Sequence, residues 1–119
     1  MIQKFTDLRA WQVAHELVLL VYKITRQYPR EEQFGLVNQS RRAVVSITSS
    51  IAEGFGRSTR KDKVNFYMIA RTSLTELRNQ MMIARDLKYF EPDTYEQLSV
   101  SAETVAKLIS GLERSVADK

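Results

Sequence analysis

Residues 92–116 read PDTYEQLSVSAETVAKLISGLERSV, and Tyr95, Leu98, Ala102, Val105, Ile109, Leu112 and Val116 form their apolar series. The gaps alternate between three and four residues, the step that lines side chains along one face of an α-helix. Pro92 suits the first turn of such a helix, where its missing N–H costs nothing. Upstream, Tyr67, Ala70, Leu74, Leu77, Met81 and Ala84 keep the same rhythm, which predicts a second long helix over 61–89. Seams of this kind pack helices against one another at small crossing angles.

Working outward, Val37, Val44, Ile47 and Ile51 predict a helix over 31–55. Glu31 or Glu32 suits its start, at the positive end of the helix dipole, and Gly54 or Gly56 suits a left-handed stop. A further helix over 7–28 is expected, capped by Thr6 or Asp7 and halted before Pro29. Rods of these lengths are roughly 33–42 Å long, and short connections make neighbours antiparallel. The expected fold is all-α: one domain spanning 1–119, an antiparallel up-down-up-down four-helix bundle.

Composition agrees. A chain of 119 residues supports one domain, and 44% apolar with 27% charged content suits a folded, globular chain. Four glycines and two prolines are too few for the many turns of a sandwich or barrel. The lack of cysteine excludes disulfides and thiolate metal sites. The first seven residues have no apolar core, and the longest apolar run, Leu17–Val21, is far too short to span a membrane, so a cytoplasmic protein is expected.

That same run exceeds what a lone bundle needs. Five consecutive apolar residues circle the helix axis, and a bundle covers only about half of each helix. Self-association is therefore expected, with Trp11, Val18, Leu19, Leu20, Val45 and Met82 as candidate contacts between subunits.

Charge is uneven along the chain. Residues 1–90 carry fifteen basic and eight acidic groups, whereas residues 91–119 carry three basic and six acidic. Between Arg41 and Arg71 lie seven cations, opposed only by Glu53 and Asp62. Arg57, Arg60, Lys61 and Lys63 crowd the turn before the third helix, where free amides and the dipole already favour an anion such as phosphate. Arg71, Arg78 and Arg85 are spaced seven apart and form one line beside the seam. These residues, with Arg41 and Arg42, are the candidate contacts to an RNA or DNA backbone, although pairing with glutamates across an interface is the readier account of the arginine line. Glu53, near the negative end of its helix, is expected to be a buried charge tied to Arg71 or Arg78.

Nothing in the sequence argues for catalysis. His15 is the single histidine, its neighbour Glu16 points about 100° away on the helix, and no base is placed beside Ser46, Ser49 or Ser50. Gly54-x-Gly56 follows no strand and is no nucleotide fingerprint. No cofactor or metal is expected, and the chain is read as a non-enzyme.

The motifs Phe34-Gly35-Leu36, Gln39-x-Arg41-Arg42-Ala43, Ser46-Ile47 and Ile51-Ala52-Glu53-Gly54, followed by Gly56-Arg57, Phe66, Ala70, Ser73 and Glu76, resemble a known family. It is the four-helix-bundle family encoded by intervening sequences within bacterial 23S ribosomal RNA genes. The resemblance runs from Phe5-x-Asp7-Leu8 and Trp11-Gln12 to the end of the third helix. Thr48 and Ser50 stand where that family often has proline and asparagine, so a straighter second helix is expected. The resemblance implies a homopentamer arranged as a ring or barrel, and a link to RNA. It also implies kinship with the accessory variability determinant of diversity-generating retroelements, a basic pentamer that partners a reverse transcriptase and binds nucleic acid. A scaffold that docks a protein partner, with no nucleic acid, is the alternative.

Overall fold

The computed structural model describes residues 1–117 and contains four long helices: α1 Arg9–Thr25, α2 Asn38–Gly56, α3 Arg60–Asp86 and α4 Pro92–Ala117. Each packs on its successor and α4 returns to α1, giving a bundle measuring 46 × 25 × 20 Å. Cross-links fix the relative directions. Ser46 meets Ser73 and Lys63 meets the end of α2, so α2 and α3 are antiparallel. Arg71 meets Glu113 and Arg78 meets Glu103, so α3 and α4 are too.

The core is the set of seams. Tyr67, Ala70, Leu74, Leu77, Met81 and Ala84 of α3 are buried, as are Val44, Ile47 and Ile51 of α2. On α4, Leu98, Ala102, Val105, Ile109 and Val116 are buried while Tyr95 and Leu112 sit at the edge. Burying one Leu or Ile contributes about 1.5–3 kcal/mol, so these stripes dominate the energetics.

Helix ends depart from the sequence expectation. The first helix does not run over 7–28: a short 3-10 turn, Phe5–Asp7, precedes α1, which ends at Thr25. Asp7 does not cap α1. Its carboxylate accepts backward from the amides of Gln3 and Lys4, and this holds its pKa below the ordinary value. The second helix is not continuous over 31–55. A 3-10 turn at Arg30–Glu32 and a π-helical turn at Gln33–Val37 come first, with Gly35 at φ −108° and ψ −112°. Glu32 closes that turn by accepting from the Leu36 amide, and a Cβ on Gly35 would come within 2.8 Å of its carboxylate. From Asn38 onward α2 is unbroken through Thr48 and Ser50.

No glycine among the described residues has positive φ, so α2 does not stop in the left-handed way predicted for Gly54 or Gly56. Arg57 simply turns extended. The left-handed stop occurs instead at the end of α3, where Lys88 has φ 62°. There Lys88 N–H donates to Arg85 and Tyr89 N–H to Ala84, the paired bonds of a Schellman ending.

Candidate nucleic-acid interface

Most of the cations singled out in the sequence hold the protomer together. The Lys63 ammonium donates to the carbonyls of Gly54 (3.2 Å) and Phe55 (2.8 Å), neutralising the negative end of α2. Arg41 donates to the Thr25 hydroxyl and the Tyr22 carbonyl at the end of α1, with its guanidinium 4.5 Å from the Tyr22 ring centre. These two side chains are helix caps delivered from a neighbouring helix.

The arginine line on α3 is neutralised by carboxylates. Arg71 pairs with Glu113 at 3.2 Å and Arg78 with Glu103 at 2.9 Å, both on α4 of the same chain. The Arg78 bond holds the Glu103 carboxyl below its ordinary pKa. Arg85 pairs with Asp86 beside it and lies over the Tyr95 ring. Glu53, expected to be buried against one of these arginines, is exposed, because Arg71 and Arg78 lean toward α4 and not toward α2.

Three further cations are exposed at the α2–α3 connection. Arg57 lies with its guanidinium 4.6 Å from the Phe66 ring centre, and Arg60 and Lys61 open α3. Thr59 caps that helix by accepting from the Asp62 amide at 3.1 Å. Arg42 is also exposed, on the flank of α2.

The subunit-contact candidates divide. Leu19, Val45 and Met82 are exposed, at 58%, 38% and 45%. Trp11, Val18 and Leu20 are half-buried against the core, and Trp11 is sandwiched by Phe5 at its edge and by His15, stacked 4.8 Å away. His15 is thus an exposed stacking partner. Among the described residues no three His, Cys, Asp or Glu side chains converge on a metal-sized site.

The family model for the 23S rRNA-intervening sequence protein matches residues 6–111. The chain belongs to this family. A similar solved structure is a protein with unknown function from the S23 ribosomal protein family of Bacteroides thetaiotaomicron. The two share 19% identity and superpose with a TM-score of 0.81, over 88% of this chain and 95% of the other. No curated protein matches the chain. Identity at this level carries the four-helix fold of the family and nothing about ligands. Among the described residues no helix is long and apolar enough to cross a membrane.

Sequence reading gave three residues no role. Phe34 is 88% exposed on the π-helical turn, and Gln80 is buried with its carbonyl oxygen lacking a donor among the described residues. Tyr89 donates to Glu32 across 57 residues of chain. Phe34 was visible only inside a family motif. Gln80 sits beside the α3 seam, where a polar residue is the available signal. The Tyr89 contact depends on how the start of α2 meets the end of α3, which no local pattern encodes.

Proposed function

We propose that this family member is a non-catalytic, cytoplasmic, self-assembling bundle that holds a nucleic-acid backbone at the α2–α3 end of each protomer. The observation that carries this reading is the grouping of Arg57, Arg60 and Lys61, all exposed, around the N-terminal turn of α3. Helix amides and dipole there add to the field of the side chains, and phosphate is the anion such a place suits. The arginine line on α3 has no part in it, since Arg71 and Arg78 serve α4.

Assembly rests on Leu19, Val45 and Met82, apolar side chains that one protomer leaves in water. A pentameric ring is the arrangement the resemblance implies, and it would bring five copies of the basic end together. Anisotropy of a labelled RNA, with the particle mass measured on the same sample, tests both parts. Neutralising Arg57, Arg60 and Lys61 together should weaken binding without changing the mass.

The scaffold reading is favoured by a different observation. The pairs Arg71–Glu113 and Arg78–Glu103 leave the long face of α3 near neutral, while Met68 and Met82 on that helix stay exposed. Such a face fits a protein surface better than a phosphate backbone. Tight assembly with no RNA binding at low salt would select it.

A further inference from the structure

An open groove of about 540 Å³ runs between α2 and α3, and the function proposed above makes no use of it. Phe34 stands at its rim, Arg42 and Glu76 line it, and Ser46 and Ser73 contribute hydroxyls that bond each other at 2.8 Å. Asn38 and Gln39 add exposed amides.

Three features of this groove go beyond a solvated surface. Phe34 is 88% exposed, held outward by a turn that Gly35 and the Glu32 carboxylate shape. Arg42 and Glu76 carry opposite charges into the same groove, yet neither is in an ion pair among the described residues, unlike Arg71 and Arg78. Two hydroxyls sharing one hydrogen bond leave one O–H and several lone pairs to offer a ligand.

A ligand that satisfies these groups needs a π-face for Phe34, an edge with two acceptors for the Arg42 fork, and an edge with two donors for the Glu76 carboxylate. Guanine alone among the four bases has both edges: O6 and N7 accept, and N1–H and N2–H donate. Adenine and cytosine interleave donors with acceptors, and uracil has one N–H. The donor edge of guanine is its pairing edge, so the base must be unpaired. Stacking on an aromatic ring and reading of a splayed-out base are how single strands are recognised.

We propose that the α2–α3 groove holds one unpaired guanine of a single-stranded nucleic acid, with Phe34 stacked on the base, Arg42 on its acceptor edge and Glu76 on its donor edge. This rests on the backbone-binding reading above and adds base selectivity to it.

The test is anisotropy of labelled oligouridines of about ten nucleotides, a length within the usual span of such sites, with and without a single central guanosine. The guanosine oligomer is expected to bind about tenfold more tightly, the usual discrimination of a bidentate base contact. Glu76→Gln should erase that preference, so that the two oligomers bind alike, and replacing guanosine by inosine, which lacks the N2 amino group, should reduce it. Phe34→Ala should weaken the guanosine oligomer more than oligouridine. Equal binding of both oligomers, still lowered by neutralising Arg57, Arg60 and Lys61, would overturn the groove and keep the backbone reading. No binding of either would overturn both. A change in particle mass on Phe34→Ala would make the groove a contact between copies of this chain, and the proposal would fall.

Discussion

The Tyr89 hydroxyl donates a 2.7 Å hydrogen bond to the carboxylate of Glu32, which also accepts from the Leu36 amide. One carboxylate therefore closes the irregular turn before α2 and ties it to the end of α3. Tyr28 lies beside this pair, its ring 5.2 Å from that of Tyr89.

This junction should respond to pH at both extremes. The Tyr89 bond, followed by the Leu36 amide, holds the Glu32 pKa below its ordinary 4.5, so its contribution is present above that value and is lost as acid protonates the folded carboxylate. Tyr89 is pushed up to about 12 by its bond to Glu32, and Tyr28 to about 12 by burial and then by the Glu32 charge. Both contributions are whole below the ordinary tyrosine value of 10 and fade as pH rises from 10 to about 12. Melting temperature against pH should fall at each end for the wild type and fall less steeply for Tyr89→Phe. Superimposable profiles would show that the bond is not formed in solution.

Lys88 has φ 62°, in the region where a Cβ crowds the following carbonyl, at a cost of about 1–2 kcal/mol. Lys88→Gly should relieve that strain and stabilise the fold by up to about 1 kcal/mol, read from the urea midpoint, since added chain entropy offsets part of the gain.

Gly54 and Gly56 end the same helix but should behave oppositely. A Cβ on Gly54 would lie 2.6 Å from Tyr67 Cε1, a buried ring, whereas one on Gly56 meets nothing within 4 Å. Gly54→Ala should cost about 1–3 kcal/mol through overpacking. Gly56→Ala should gain up to about 1 kcal/mol from helix propensity. Equal effects would contradict the close approach of α2 and α3 at Gly54.

The Arg71 and Arg78 pairs are exposed, and exposed pairs contribute less than about 1 kcal/mol each. Arg71→Gln and Arg78→Gln should change stability by less than that and leave RNA affinity within about twofold, the scatter of a contact not used. A large loss of affinity would return the α3 line to the nucleic-acid interface.

How far the sequence could be read follows from the range of the forces. The seams on α3 and α4 repeat within one element, so spacing alone exposed the bundle and most of its core. Glu53 was misread because its rule-breaking position near a helix end says nothing about which helix the arginines lean toward. Glu103 and Glu113 decided that, and they lie on α4. Gly54 was legible as special, but the reason is the Tyr67 ring and not a left-handed turn. Lys63 and Arg41 look like free cations in the sequence, because the carbonyls they cap belong to other helices. Of the four cations at that turn, Arg57, Arg60 and Lys61 are exposed, while Lys63 turns back onto the end of α2.

The most direct measurement is RNA binding by anisotropy between about 50 and 200 mM salt, for the wild type and for the variant with Arg57, Arg60 and Lys61 neutralised. Three phosphate contacts on a single strand predict a slope of at least about −2 in log affinity against log salt, largely lost in the variant. No binding at the lowest salt, or binding of equal strength and slope in both proteins, would contradict the account.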